Sequence, residues 1–170
     1  MARREHHGPR GSAGAAWLLS QVGAHAAERF RERLAALELV PPHAGILRLI
    51  SAEEGLSQRA LSALIGLVPS RLVGLLDELE QRGLVERRRD PQDRRSHSLF
   101  LTDRGRNTLD AIGRVAREHQ QGLLRALTEE ERALLAALLI RVADDQGLKR
   151  GVHPGFARLR PGRPRPRSAP

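Results

Sequence analysis

The sequence predicts a mainly α-helical protein with one small β-hairpin, and three observations support this fold class. Over most of the chain, apolar residues recur every three or four positions, as they do on the buried face of a helix. Between residues 84 and 102 this period is replaced by two short runs, LVERR and SHSLFLT, on either side of an Asp-Pro turn. No stretch reaches the roughly 20 uninterrupted apolar residues that a membrane span needs.

Composition narrows the class of protein further. With 170 residues, 40 % of them hydrophobic, the chain is sized for one domain with a core. The basic N-terminus, MARREHHGPRGSAGAAW, lacks the apolar region of a secretory signal, and the chain contains no cysteine for a disulfide or a thiolate metal site. A Gly-rich phosphate loop and a nucleophile elbow are also absent from the sequence. We therefore expect a cytoplasmic protein that is not an enzyme and needs no cofactor.

The net charge of +9 resides at the two ends of the chain. Residues 149–170 carry seven Lys and Arg and no acid, and residues 1–12 carry three arginines and one glutamate. The residues between them carry 19 basic and 19 acidic side chains, so nucleic-acid binding must depend on where the charges lie. We expect a basic, disordered N-terminus over 1–14 and an Arg/Pro-rich disordered tail over 147–170.

Two helices are predicted before the central region. The first runs from Trp17 to Leu39, with its apolar face formed by Leu18, Val22, Ala26, Phe30, Leu34 and Leu37. Pro41-Pro42 ends this helix and opens a second one over about 42–53, because proline suits the first turn of a helix.

The central region predicts a helix-turn-helix followed by the hairpin. Ser57 is the expected N-cap of a short helix that Gly66 ends, and Pro69 begins a further helix that runs to Gln81. In such a pair the second helix can enter the major groove of DNA. The hairpin that follows Gly83 would lie beside the same duplex as a wing.

Two more helices complete the chain. Thr102 is the expected cap of a long helix that reaches residue 127, about 26 residues or 39 Å in length. Thr128 and Glu131 form a capping box for a last, leucine-rich helix over 128–145. The apolar faces of these helices and of the first one exceed what a single chain of this size can bury.

The predicted wing is dense in charge. The stretch ERRRDPQDRRSHSLFLT, residues 86–102, places arginines on both sides of Asp90-Pro91. Asp93 can orient a neighbouring guanidinium through a charge-assisted pair, and an arginine-rich tip can reach phosphates or a narrow minor groove. This pattern predicts a surface that binds a polyanion.

At these residues the sequence resembles the MarR family of winged helix-turn-helix regulators of antibiotic and stress responses. The resemblance covers SQRALSALIGLVPSRLVGLLDELEQRGLVERRRDPQDRRSHSLFLTDRG, residues 57–105. Its signature consists of Leu79-Glu80, Gly83-Leu84-Val85, Asp90-Pro91, Asp93-Arg94-Arg95, Leu101-Thr102 and Gly105.

The resemblance implies a homodimeric repressor that binds a palindromic operator in double-stranded DNA and is released by a small anionic or phenolic effector. It implies dimerisation helices at 15–40 and 102–146 and a winged helix-turn-helix domain at 41–101. The helix over 69–82 would read the major groove, and Arg94 would enter the minor groove. The residues expected to contact DNA are Ser57, Gln58, Pro69, Ser70, Arg71, Arg87, Arg89, Asp93, Arg94, Arg95 and His97.

The helix expected to read the major groove has few polar residues at its start. Val68 occupies its cap position, and Val73 and Gly74 stand where polar side chains are common in the family, which leaves Ser70 and Arg71 as readers. We therefore expect limited discrimination among bases from this helix.

Alternatives remain for the effector site and for the class of nucleic acid. The effector cleft is expected to contain Trp17, His25 and His43, and the competing interpretation gives these residues packing and surface roles. An RNA-binding or ribosome-associated protein would also carry basic tails, although 2 % aromatic residues provide little surface for base stacking. The seven histidines are scattered, so no metal site is predicted.

Overall fold

The computed structural model describes residues 14–89, 97–149 and 151–153, and confirms a mainly helical fold with a small antiparallel sheet. In chain order the elements are α1 (Ala15–Ala35), α2 (Pro41–Ala52), β1 (Leu56–Ser57), α3 (Gln58–Ile65), α4 (Pro69–Gln81), β2 (Val85–Arg89), β3 (His97–Leu101), α5 (Asp103–Leu123) and α6 (Glu129–Asp145).

The hydrophobic core lies where α2, α3, α4 and the sheet meet the C-terminal end of α1 and the N-terminal half of α5. Its largest fully buried side chains are Leu34, Leu39, Ile46, Leu47, Ile50, Leu61, Leu72, Leu76, Leu79, Val85, Leu99 and Leu101. Complete burial of one such leucine contributes roughly 1.5–3 kcal/mol relative to its exposure. Because α4 buries Leu72, Leu76 and Leu79 on one face, its opposite face points away from the core.

The wing belongs to a three-stranded sheet with the order β1-β3-β2. β2 and β3 form the predicted hairpin, in which Val85 lies opposite Leu101 and Arg89 lies opposite His97. β1 pairs with β3 through Leu56–Ser57 alone, which is too short for a strand period to show in the sequence. This third strand holds the hairpin against the start of the helix-turn-helix.

Three predicted helix caps are confirmed, at Ser57, Thr102 and Thr128. Thr102 also donates its hydroxyl to the carbonyl oxygen of Gly83 at 2.6 Å, so that the cap of α5 is joined to the end of α4. Gly66 adopts a left-handed φ of 72°, which ends α3 as predicted.

α5 passes very close to the start of β2 at Gly105. A β-carbon at this position would lie 2.0 Å from the carbonyl oxygen of Leu84, far inside van der Waals contact. The backbone N–H of Thr102 donates to the same carbonyl at 3.2 Å. The glycine in the sequence signature is therefore required by the packing of α5.

α1 ends earlier than predicted, at Ala35 rather than at Leu39. Glu38 takes a left-handed φ of 54°, which is incompatible with a continued helix. Arg82, which follows α4, donates its guanidinium to the carbonyl oxygens of Leu37 and Glu38. Arg82 thus satisfies carbonyl groups at the end of α1 and joins this helix to the helix-turn-helix.

α5 is also shorter than predicted, because it ends at Leu123 rather than at residue 127. Leu124 leaves the helical conformation, and the N–H of Leu127 folds back onto the carbonyl oxygen of Leu124 at 3.0 Å. Arg132 of α6 donates its Nε to the same carbonyl at 3.1 Å. With 21 residues, α5 is roughly 32 Å long.

The sequence predicts disorder from residue 147 onward, which is too early in the chain. The N–H of Leu148 donates to the carbonyl oxygen of Ala143 at 2.9 Å, and Lys149 Nζ donates to the carbonyl oxygen of Ala63 at 3.2 Å. Arg48 of α2 donates to the carbonyl oxygen of Gly151. These contacts order the segment directly after α6, whereas the remainder of the predicted tail and N-terminus, 154–170 and 1–13, lies outside the described residues.

α1 and α6 each keep several large apolar side chains exposed. The exposed side chains are Trp17, Leu18, Leu19 and Val22 of α1 and Leu134, Leu138, Leu139, Ile140 and Val142 of α6. α6 buries none of its residues within the chain, although its sequence is rich in leucine. Several exposed large apolar side chains on one helix are characteristic of an interaction site. Among the described helices, none is by itself long and apolar enough to cross a membrane, and α3 and α4 reach that length only together, across a bend of 113°.

Candidate nucleic-acid interface

The helix-turn-helix is formed by α3 and α4, whose axes differ in direction by 113°. The hydroxyl of Ser62 donates to the carbonyl oxygen of Leu67 at 2.7 Å and fixes the turn between them. α3 buries Leu61 and Ile65 against the core. This packing leaves the N-terminal end of α4 on the surface.

The open face of α4 is short and mixed in character. Pro69 and Ser70 are exposed and Arg71 is half-buried, so the predicted polar readers lie at the surface. Val68 and Val73 are exposed by 63 % and 41 %, respectively. A helix that presents arginine and valine side chains together can combine a bidentate contact with apolar contact to a thymine methyl group.

The wing carries its charges in fixed positions along β2 and β3. Arg88 lies over the ring of Phe100, with its guanidinium carbon 4.4 Å from the ring centroid, and also pairs with Glu86. Arg89 and His97 lie opposite each other in the last described pair of β2 and β3, and both are exposed. The predicted tip residues, Asp93, Arg94 and Arg95, lie outside the described residues.

Arg87 of β2 lies against α4 instead of at the open surface. Its Nη2 is 2.6 Å from Oδ1 of Asp77, its Nη1 is 2.7 Å from Oε2 of Glu80, and only 18 % of its side chain is exposed. The sequence predicts a DNA contact for Arg87, whereas the structure gives the guanidinium two carboxylate partners within the domain. Arg87 therefore joins the wing to α4.

The third acid of α4 also has an internal partner. Oε2 of Glu78 lies 3.1 Å from Nε2 of His43, an ion-pair distance without the geometry of a hydrogen bond. His43 is 3 % exposed, and its burial lowers the pKa of the imidazole, whereas Glu78 raises it and Arg82 lowers it. The acids of α4 thus lie beside basic side chains of the protein.

The three residues of the predicted effector cleft are not brought together in the chain. Trp17 is 57 % exposed near the start of α1, and His25 lies eight residues further along, about 12 Å along the helix axis. His43 is buried between α2 and α4 beside Glu78. Within the described part of one chain, the three side chains therefore do not line a single cleft, because His43 is buried.

His25 instead lines a cavity of about 350 Å³ between α1 and α5. The other side chains that line it are Arg29, Arg33, His119, Leu123 and Arg125, together with Gly122. Sequence reasoning missed this site, although His25, Arg29 and Arg33 recur every four residues and so share one helix face. In the part of the chain that the structure describes, no group of three His, Cys, Asp or Glu side chains could hold a metal ion.

Comparison with known proteins gives consistent matches to transcriptional regulators. A model of the MarR family matches residues 38–96. The putative transcriptional regulatory protein for the hcr operon of Thauera aromatica is 34 % identical over 98 residues, or 58 % of this chain and 59 % of that protein. The HTH-type transcriptional regulator TtmR of Methylorubrum extorquens is 35 % identical over 131 residues, or 76 % of this chain and 66 % of that protein.

A solved structure also matches this chain, and the match extends over nearly the whole length of that structure. The transcriptional repressor CouR, bound to a 23-mer DNA duplex, is 34 % identical and superimposes with a TM-score of 0.68. This match covers 76 % of the present chain and 92 % of that chain, whereas the two curated relatives are matched over only 59 % and 66 % of their lengths. The family model, the identity to CouR and the shared winged helix-turn-helix fold together show that the chain belongs to the MarR family.

Proposed function

We propose that the protein is a transcriptional repressor that binds double-stranded DNA as a homodimer. The observation that carries this proposal is the open N-terminal face of α4, with Ser70, Arg71 and Val73, next to a wing that Arg87 ties to the same helix. α4 enters the major groove, and the wing reaches along the adjacent backbone toward the minor groove. The 23-mer duplex bound to CouR supports this class of partner.

Electrostatics favours the same face. Asp77 and Glu80 are paired with Arg87, and Glu78 lies at His43, so these carboxylates repel an approaching phosphate less strongly than free ones would. In the last described pair of β2 and β3, Arg89 and His97 are exposed to solvent. We assign phosphate contacts to these two residues and to Arg95, with Arg94 in the minor groove and Asp93 orienting its guanidinium.

Base reading is assigned to the first turns of α4. Arg71 binds a guanine edge, and Val73 contacts a thymine methyl group. Pro69 and Ser70 at the start of α4, and Ser57 and Gln58 at the start of α3, approach the phosphate backbone, because helix N-termini favour anions. Arg87 positions the wing against α4 and does not contact phosphate.

The homodimer is proposed from the exposed apolar faces of α1 and α6. A two-fold axis through these faces would bury side chains such as Trp17, Val22, Leu138 and Ile140, which one chain leaves exposed. A two-fold symmetric dimer presents two copies of α4 and therefore binds a palindromic operator. We place this regulator in the cytoplasm, where its DNA is.

Regulation by a small anionic or phenolic effector is part of the proposal. The effector would favour a spacing of the two wings that the operator cannot accept. Reciprocity requires operator DNA to weaken effector binding by the same factor. Because Trp17 is the only tryptophan of the chain and is exposed, its fluorescence can report binding near α1.

Selection of bound genomic fragments, followed by mobility-shift assays over a range of salt concentrations, tests the function. We expect a palindromic duplex to bind at least about 1,000-fold more tightly than scrambled duplex, as specific regulators do. Arg71→Ala should reduce this ratio, whereas Arg31→Ala on the exposed side of α1 should not. Preference for single-stranded or structured RNA over every duplex would favour the RNA-binding alternative and contradict the proposal.

A further inference from the structure

We propose that the cavity between α1 and α5 is a binding site for a small oxyanion with at least two negative charges, such as phosphate or a dicarboxylate. Three arginines and two histidines line this cavity: Arg29, Arg33, Arg125, His25 and His119. No carboxylate lines it. The site does not depend on the proposed DNA contacts, because none of its residues belongs to α3, α4 or the wing.

Two of the arginines have unused hydrogen-bonding capacity. Arg125, just after α5, has no ion pair or hydrogen bond with any other described residue. Nε of Arg33 is buried without an acceptor among the described residues, and Nη1 of the same guanidinium lies 3.8 Å from Oε2 of Glu118. A buried guanidinium donor without an acceptor is costly, and a bound oxyanion would satisfy it.

The third arginine is partly neutralised. Arg29 Nη1 lies 2.9 Å from Oε2 of Glu32, which faces solvent on the same helix. Glu32 and Glu118 are the carboxylates paired with cavity arginines, so the positive charge of Arg125 is not compensated by a described partner. The cavity therefore retains a positive potential that favours an anion.

The pKa of His119 reflects both its burial and this positive potential. Burial lowers the pKa of His119, and Arg33, Arg29 and His25 lower it further because they make its protonation unfavourable. Its ring packs against Phe30 with 5.4 Å between centroids, so one side of the imidazole is fixed. An anion in the cavity would offset the repulsion between these groups and raise the pKa of His119.

The dimensions suit a small ligand. A volume of about 350 Å³ accommodates an ion or a short organic acid but not a folded partner. Gly122 forms the wall beside Arg33, where a β-carbon would lie in ordinary van der Waals contact, 3.7 Å from Nη2 of Arg33. α1 turns Leu18 and Val22 toward the same side as Arg29, so the anion would lie beside the proposed dimer interface.

Isothermal titration calorimetry of the full-length protein at constant ionic strength tests the proposal. Phosphate and malonate serve as separate probes of the inorganic and the carboxylate class, and chloride serves as the singly charged control. We expect saturable binding of one class or both at one site per chain, with no saturation by chloride. If neither probe shows saturable binding, the proposal is refuted. This also applies if binding fails because side chains of the partner subunit fill the cavity.

Matched variants then locate the site. Arg125→Gln and Arg33→Gln should each weaken binding about tenfold or more, because each removes a charge-assisted contact. Arg117→Gln on α5 and Arg31→Gln on α1 remove the same charge from exposed positions outside the cavity and should leave affinity unchanged. The triple variant Arg163→Gln, Arg165→Gln and Arg167→Gln controls for binding to the basic tail. Equal loss in cavity, surface and tail variants would show nonspecific charge attraction and refute the site.

Discussion

Nη2 of Arg87 on β2 lies 2.6 Å from Oδ1 of Asp77 on α4, so a wing residue is held by the helix that the wing accompanies. A second contact, from Nη1 to Glu80 at 2.7 Å, gives the guanidinium two carboxylate partners on successive turns of α4. This arrangement determines the direction of β2 relative to α4. It also removes Arg87 from the set of cations that are free to bind phosphate.

Replacement of Arg87 should distinguish positioning from phosphate contact. Arg87→Ala should lower the free energy of unfolding by about 1–2 kcal/mol, because two partly exposed carboxylates lose their partner. Operator affinity should fall while the dependence of log Kd on log salt stays the same, since no phosphate contact is lost. Arg89→Ala, at an exposed position of the same strand, should instead reduce that slope by about one. An equal reduction of the slope in both variants would assign Arg87 to the backbone and refute its positioning role.

Two glycine-to-alanine substitutions in helices should have opposite effects. At Gly105 the new β-carbon would lie 2.0 Å from the carbonyl oxygen of Leu84, so α5 would have to move from β2. We expect Gly105→Ala to destabilise the protein by about 3 kcal/mol or more, as overpacking against the backbone does. At Gly74 no atom lies within 4 Å of the new methyl group, and Gly74→Ala should stabilise α4 by about 0.5–1 kcal/mol. Urea unfolding of both variants measures these differences, and a stable Gly105→Ala protein would contradict the packing.

Assembly should depend on the apolar face of α6. Leu138 is 45 % exposed in one chain, and Leu138→Gln places a polar side chain in the proposed two-fold interface. Light scattering of the unmodified protein at micromolar concentration should give about twice 18.8 kDa, and the variant should shift toward the monomer and lose operator affinity. Val40→Gln is the control, because Val40 is 43 % exposed and lies outside α1, α5 and α6. A well-folded monomer of the unmodified protein would refute the dimer.

Features that depend on local chemistry could be predicted from the sequence. Gly66 and Pro69 mark the turn of the helix-turn-helix, because the first tolerates a left-handed φ and the second is preorganised for a first helical turn. The hydroxyls of Thr102 and Thr128 cap the helices that follow them directly. In each of these cases the interacting groups are within a few residues of each other.

Features that depend on distant contacts could not be predicted in this way. Arg82 caps α1 across more than 40 residues of sequence, and no local signal at Leu37 indicates it. The partners of Arg87 belong to another element, so its charge alone suggested a phosphate contact. His43 resembles a polar surface residue in sequence, but the apolar residues around it in α2 draw it into the core. The cationic cavity forms because α1 and α5 lie side by side, which is a distant contact. The spacing of His25 and Arg29 indicates only the part of the lining that α1 contributes.

Stability should fall in mildly acidic solution because of His43. Its pKa is lowered in the folded protein, chiefly by burial, so below about pH 6.5 the unfolded chain binds a proton that the folded protein does not. Stability is therefore fully present above that pH and decreases as the pH falls below it. Leucine is similar in volume to histidine and has no titratable group. In His43→Leu the free energy of unfolding should therefore decrease less on acidification, by up to about 1 kcal/mol.

Urea unfolding at about pH 7.5 and about pH 5.5 measures this effect. His119, whose pKa is also lowered by burial, contributes to the decrease in both proteins, so the difference between them isolates His43. His97→Gln removes an exposed imidazole and serves as the matched control for the loss of a histidine. Identical pH dependence in His43→Leu and the unmodified protein would show that the buried imidazole does not control acid stability.

Base discrimination should depend on the apolar side chain of Val73 as much as on charge. Val73 is 41 % exposed on the open face of α4, so this position offers DNA an apolar side chain and no polar group. If it contacts a thymine methyl group, substitution of deoxyuridine at one operator position should weaken binding about fourfold, which corresponds to about 0.8 kcal/mol for one buried methyl group. The same DNA substitution should have no effect on Val73→Ala, because the contact is then already lost. The same comparison applies to Arg71→Ala and 7-deazaguanine, which lacks the N7 acceptor that a bidentate arginine uses. This base should weaken binding of the unmodified protein and have no effect on binding of Arg71→Ala. Val40→Ala serves as the control, since it shortens an equally exposed valine away from α4. An operator in which no thymine position responds to deoxyuridine in the unmodified protein would show that Val73 does not read the major groove.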